Sequence, residues 1–178
     1  MQDQVATVFG AGRADPESTL YRLAYDVGRT VASCGWTLCT GGYGGTMEAA
    51  SRGAFEAGGH TIGVTCEAFG RAGPNPFVRA EVPTPDLFTR LATLMRLGLV
   101  YVVLPGGTGT LLELAAVWEF TNKGLTAARP IVLAGEFWAP LERLVRAAQP
   151  DACALLTIPD AQALRGLLLS LAQTSVAR

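Results

Sequence analysis

Residues Leu99 to Glu113 read L-V-Y-V-V-L-P-G-G-T-G-T-L-L-E. Leu99–Leu104 is uninterrupted apolar and rich in valine, as a parallel strand covered on both faces requires. Pro105 has no amide proton to extend the ladder. Gly106, Gly107 and Gly109 allow a tight turn whose peptide nitrogens stay uncovered. Thr108 to Thr110 then open a helix. Its first N–H groups lack partners within the helix and sit at the positive end of its dipole, so the turn suits an anion, most naturally a phosphate. Glu113 follows inside the apolar stretch Leu111–Trp118. An isolated carboxylate there is costly, which predicts a specific partner or a chemical role.

Working outward, strands and helices alternate. Val5–Phe9 is a short apolar run ending at Gly10-Ala11-Gly12-Arg13, and Asp15-Pro16 has the form of an N-cap followed by proline at the first helical position. The helix that follows runs to Ser33. Trp36–Thr40 is a second strand leading into Gly41-Gly42-Tyr43-Gly44-Gly45, and Thr46 opens a second helix closed by Gly58-Gly59. His60–Val64 is a third strand. Thr65 to Pro83 is a long irregular segment, which in a compact domain is functional or shelters a small extra strand. Thr84-Pro85-Asp86 caps a helix to Leu97, and the Leu99–Leu104 strand and the Thr108–Asn122 helix come next. Pro130–Ala134 and Cys153–Thr157 are further strands, followed by helices Trp138–Gln149 and Asp160–Ala172.

This alternation specifies an α/β fold: one Rossmann-like domain over residues 1–178, a doubly wound parallel sheet with helices on both faces. Right-handed crossovers give a strand order near 3-2-1-4-5 and a switch point between the first and fourth strands. Three loops converge there: Gly10–Arg13, Gly41–Gly45 and Pro105–Thr110.

At 178 residues the chain can bury roughly 70% of its unfolded surface. A net charge of −1 provides no basic field for nucleic acid. The four cysteines form no C-x-x-C pair and there is one histidine, His60, so no metal site is expected. The cysteines are read as small buried thiols. No leader or membrane-spanning pattern is visible, and a cytoplasmic location is expected.

A dinucleotide site fits poorly, because Asp15 stands at the third glycine of G-x-G-x-x-G and the second strand ends in Thr40-Gly41 without an acidic residue. No Walker loop is present. A phosphate loop with one carboxylate and nearby arginines suits a nucleoside monophosphate better. Arg90, on a mostly apolar helix, is the natural partner of Glu113, since buried charges occur in pairs.

Pro105-Gly106-Gly107-Thr108-Gly109-Thr110-Leu111-Leu112-Glu113 resembles the P-G-G-x-G-T-x-x-E signature of the Lonely Guy proteins, the cytokinin riboside 5′-monophosphate phosphoribohydrolases, long labelled lysine decarboxylases. The likeness extends over most of the chain: Arg90 falls where that family carries its catalytic arginine, and Gly41–Met47 where it carries its first glycine loop. Leu91 stands where a lysine is usual. The loop Gly-Gly-Tyr-Gly-Gly-Thr-Met-Glu (Gly41–Glu48) is closer to a prokaryotic branch that includes molybdenum-cofactor carrier proteins. The resemblance implies a nucleoside 5′-monophosphate phosphoribohydrolase. The alternative is a carrier of a nucleotide or molybdenum cofactor without turnover. A decarboxylase reading fails on chemistry, because a pyridoxal enzyme needs a lysine Schiff base and the one lysine, Lys123, lies at a helix end remote from the loops.

The expected site therefore has Glu113 and Arg90 as catalytic residues. Gly106, Gly107, Thr108, Gly109 and Thr110 hold phosphate, joined by Gly41, Gly42, Gly44 and Gly45, with Arg13 and Arg79 as further phosphate contacts. Arg90 is expected to keep Glu113 ionised and oriented, lowering its pKa, or to bind phosphate directly. No cofactor is required. Glu48, in a helix's first turn, is as easily a dipole partner as a ligand contact. His60 is read as a packed ring, and Tyr43 as a base-stacking or loop-covering group. The helices Asp86–Leu97 and Thr108–Asn122 carry more apolar surface than one sheet face uses, which predicts a homodimer. No nucleic acid or membrane partner is expected.

Overall fold

The computed structural model describes residues 4–176, with side chains to Gln173; residues 1–3 and 177–178, the ends of the expected domain, lie outside the described residues. The strands are β1 (Val5–Phe9), β2 (Thr37–Thr40), β3 (Thr61–Cys66), β4 (Ala80–Thr84), β5 (Val100–Val103), β6 (Ile131–Ala134) and β7 (Leu156–Ile158). The helices are α1 (Thr19–Ser33), α2 (Thr46–Glu56), α3 (Leu87–Leu97), α4 (Thr108–Asn122), α5 (Ala139–Ala148) and α6 (Ala161–Val176). All seven strands form one sheet in the order β4-β3-β2-β1-β5-β6-β7, and every neighbouring pair is parallel. The expected doubly wound architecture is present, with the switch point between β1 and β5.

Strand alternation decides which helix covers which face. In β5, Val100 and Val102 join the core beneath α1, α2 and α6, while Tyr101 and Val103 join the core beneath α3, α4 and α5. All four are buried, which is why the sequence there shows no polar alternation. Helices α1 and α2 meet through glycine: a Cβ on Gly28 would strike the Ala50 carbonyl, and one on Gly53 the Tyr25 carbonyl.

Two local expectations are corrected and one open alternative is resolved. Helix α1 starts after Ser18, whose hydroxyl accepts from the Tyr21 N–H, whereas Asp15 and Pro16 form a preceding turn in which the Ser18 amide bonds the Asp15 carbonyl. Asp86, not Thr84, caps α3 by accepting from the Thr89 amide, because Thr84 is already committed to β4 and donates its hydroxyl to the Thr65 carbonyl. The irregular segment after β3 does hold an extra strand: β4 pairs with β3 from Ile62↔Ala80 to Cys66↔Thr84, so the sheet extends one strand beyond the expected edge.

Candidate functional site

At the carboxyl ends of β1, β2 and β5, the three glycine loops pack into one another. The Thr46 amide and hydroxyl both donate to the Ala11 carbonyl, at 2.9 and 3.1 Å. The first amide of α2 is thereby consumed by protein. A Cβ on Gly106 would lie 3.1 Å from the Ala11 nitrogen and closer still to the Thr110 side chain. Glycine at position 106 is what lets the β5 loop close onto the β1 loop.

Helix α4 differs from α2. Both helices have a glycine N-cap, Gly45 and Gly107, with no side-chain cap, but Gly107, Thr108 and Gly109 are exposed and Thr110 buried, whereas Thr46 and Met47 at the start of α2 are both buried. The first protein hydrogen bond in this turn runs from the Leu111 amide to the Gly107 carbonyl. The amides before it face an open cleft of about 360 Å³, lined on this side by Gly107 to Thr110, Leu112 and Glu113. Opposite them stand Tyr43, Met47, Phe69, Arg71, Arg90 and Leu91.

Arg90 reaches this cleft from α3 through the protein interior and is only 6% exposed. Its Nε donates to the Val64 carbonyl at 2.8 Å and its Nη2 to the Gly41 carbonyl at 3.1 Å. The remaining nitrogen, Nη1, lies 3.5 Å from Glu113 Oε1. The rings of Tyr43 and Phe69 flank the guanidinium at 5.8 and 5.7 Å. Two backbone tethers thus orient the guanidinium, and the ion pair is the looser contact. Gly41 makes this possible, since a Cβ there would collide with Nη2 of Arg90.

Burial pushes the Glu113 carboxyl from an ordinary 4.5 up to about 7, although the Arg90 charge pulls it down. Arg90 lowers the Glu113 pKa as expected, but desolvation of a side chain only 13% exposed outweighs this one long ion pair, so the net shift is upward, against the expectation that Glu113 is held ionised. Such a group exchanges its proton near neutrality, as acid–base chemistry requires.

A profile of the SLOG cluster4 family matches residues 3–151. The chain belongs to that family. It is also similar, at 35% identity over 139 residues covering 72% of this chain and 69% of the relative, to a cytokinin riboside 5′-monophosphate phosphoribohydrolase of Mycobacterium marinum. Among solved structures, the molybdenum cofactor binding protein of Rippkaea orientalis superposes with a TM-score of 0.79 at 26% identity, covering 96% of this chain and 98% of that one. The molybdenum cofactor carrier protein of Chlamydomonas reinhardtii superposes with a TM-score of 0.75 at 28% identity, covering 99% of both chains. No helix among the described residues is long and apolar enough to cross a membrane.

In this SLOG cluster4 protein, Glu113, Arg90 and Gly107 to Thr110 share the cleft, whereas several other expected contacts point elsewhere. Arg13 and Arg79 are exposed and neither lines the cleft; the Arg79 guanidinium lies 4.7 Å over the Phe55 ring. Gly41 and Gly42 spend their carbonyls on Arg90 and on Asn75. Gly42 and Gly45 adopt positive φ to turn the loop, and Gly44 lines an adjoining cleft. His60 is exposed at the edge of β3 rather than packed.

The residue that sequence reasoning missed is Arg71. It lies in the irregular segment, with its guanidinium 4.8 Å over the Tyr43 ring, and lines the cleft. Tyr43 is fixed beneath it: its hydroxyl donates to the Cys66 carbonyl and accepts from the Cys66 amide. Asn75 ties the same segment to the glycine loop, with its side-chain amide donating to the Gly42 and Tyr43 carbonyls. The signal in sequence was an arginine and an asparagine among glycines and prolines in an over-long loop. Nothing local said which cleft they would face. Among the described residues no group of acidic, histidine and cysteine side chains is arranged to hold a metal ion.

Proposed function

We propose that this protein hydrolyses the N-glycosidic bond of a nucleoside 5′-monophosphate to a free base and ribose 5-phosphate. The observation that carries the reading is the position of Glu113. It lies one turn beyond Thr110, in the same cleft as the uncovered α4 amides, with a carboxyl that titrates near 7. A phosphate held by the amides of Gly107 to Thr110 places the attached ribose along α4 toward that carboxyl. As the bond between C1′ and the base nitrogen lengthens, the sugar gains oxocarbenium character. The ionised Glu113 stabilises that charge or takes a proton from the attacking water. Arg90 is a positioning residue in this scheme: its backbone tethers hold a fixed positive charge beside Glu113. The similarity to proteins named phosphoribohydrolases supports the same chemistry.

A second reading has its own support. Two structures that superpose over nearly the whole chain are those of a binding protein and a carrier for molybdenum cofactor, and the same cleft would hold a phosphorylated cargo without turnover. Incubation with AMP, GMP, CMP and IMP, followed by chromatography of free base, separates the two. Base release that is lost in Glu113→Gln supports hydrolysis. Thermal protection by nucleotide without base release supports the carrier.

The functional unit in this proposal is a homodimer. Phe88 is 85% exposed and Leu125 67% exposed, and both border an apolar groove of about 560 Å³ between α3 and the end of α4. Leu91 lines this groove and the cleft alike, so burial of the groove against a second copy would also wall the cleft.

A further inference from the structure

A second cleft of about 270 Å³ adjoins the first, and Tyr43 and Arg71 form the wall between them. Its other lining comes from Gly44, Gly73, Pro74, Asn75 and Glu48. Glu48 is half-buried in the first turn of α2, yet no hydrogen bond or ion pair engages its carboxylate among the described residues. The leading amide of α2 is bonded to the Ala11 carbonyl. The cleft therefore presents an acceptor-only group beside a stacked guanidinium and ring, with Asn75 locked in place by its own hydrogen bonds.

We infer that this second cleft is the base subsite of the ligand proposed above, and that Glu48 selects bases with two adjacent N–H donors. A carboxylate can only accept. The ring N–H and exocyclic amine of a 2-amino-4-oxo pyrimidine edge, as in guanine, offer two donors side by side and pair with both oxygens. The corresponding edge of adenine offers one donor and one acceptor, and the acceptor's lone pair faces the carboxylate. The site thus discriminates by leaving a polar group unpaired. The planar base lies past the Tyr43–Arg71 stack, and its phosphate reaches back to the amides of α4. Because this assignment rests on the phosphate reading of the first cleft, the test carries ribose 5-phosphate as an independent arm.

Dissociation constants of GMP, AMP and ribose 5-phosphate are measured in the cold on the wild-type chain and on Glu48→Gln. The wild type is expected to prefer GMP over AMP by about tenfold or more. In Glu48→Gln the side chain offers one acceptor and one donor, the complement of adenine, so the preference is expected to shift toward AMP while ribose 5-phosphate binding stays unchanged. Equal affinity for GMP and AMP in the wild type, or a parallel loss of both in Glu48→Gln, overturns the base subsite alone. Failure of all three ligands to bind the folded wild type overturns the phosphate reading, and this inference with it. Circular dichroism of Glu48→Gln confirms the fold, which loses no protein contact at this position.

Discussion

Arg90 Nη1 and Glu113 Oε1 stand 3.5 Å apart, well beyond the roughly 2.8 Å of a strong charge-assisted hydrogen bond. The arginine is nonetheless immobile, because Val64 and Gly41 hold its other nitrogens. Arg90 is thus a fixed charge beside a carboxyl that it engages only by a long contact.

That arrangement sets the effect of Glu113→Gln. The amide preserves shape but cannot stabilise a cationic sugar or accept a proton, so base release is expected to fall by about 10²-fold or more. Ribose 5-phosphate should still bind through the α4 amides. Single-turnover hydrolysis and calorimetric titration measure the two quantities separately.

The raised Glu113 pKa has consequences for both rate and stability. If the ionised carboxylate acts, hydrolysis should rise with pH and reach half its plateau near 7 in the free enzyme. For stability, the native state holds a proton that the unfolded chain has already lost between pH 4.5 and about 7. Stability from this group is therefore full below the lower value, declines as pH rises through the window, and levels off above it, by about 3 kcal/mol in all. Urea unfolding across that range should show a decline that flattens in Glu113→Gln.

Gly41→Ala tests the orientation of Arg90 directly. The added methyl would overlap the guanidinium, which must then leave the Gly41 carbonyl or the Glu113 side of the cleft. Activity should fall by about tenfold or more, with a destabilisation of about 1–3 kcal/mol from overpacking. Arg90→Ala is expected to cost more, about 3–5 kcal/mol, because it leaves a buried carboxylate and two carbonyls without their donor. Thermal melts and turnover assays on the two variants check the order.

Gly109→Ala should separate stability from binding. Nothing lies within 4 Å of a Cβ at this position, and alanine is the better helix former by about 0.5–1 kcal/mol. The fold should gain slightly in Tm. If the α4 amides cradle phosphate, the methyl at the mouth of the cradle weakens ribose 5-phosphate binding. Calorimetry on the same sample reads both outcomes.

Phe88→Glu places a charge at the most exposed apolar side chain of the α3 groove. Sedimentation equilibrium should change from dimer to monomer with little change in circular dichroism, since no core residue is touched.

Six of the seven strands, their parallel sense, the switch point and the company of Glu113 with the β5 loop were legible in the chain. They follow from short-range rules: an unbroken apolar run cannot lie at a surface, glycines after a strand make a turn, and position 113 must lie one turn from position 110 on any helix. Tertiary structure alone decided the rest. Glycine at 41 and glycine at 42 look alike in sequence, yet one makes space for an arginine from a distant helix and the other turns the loop at positive φ. Arg13, Arg71 and Arg79 were equivalent cations until packing sent one to solvent, one to the Tyr43 ring and one to Phe55. The direction of the Glu113 shift likewise required knowing how much water its neighbours exclude. Side-chain destinations and desolvation arise from contacts between segments far apart in the chain, and no local pattern encodes them.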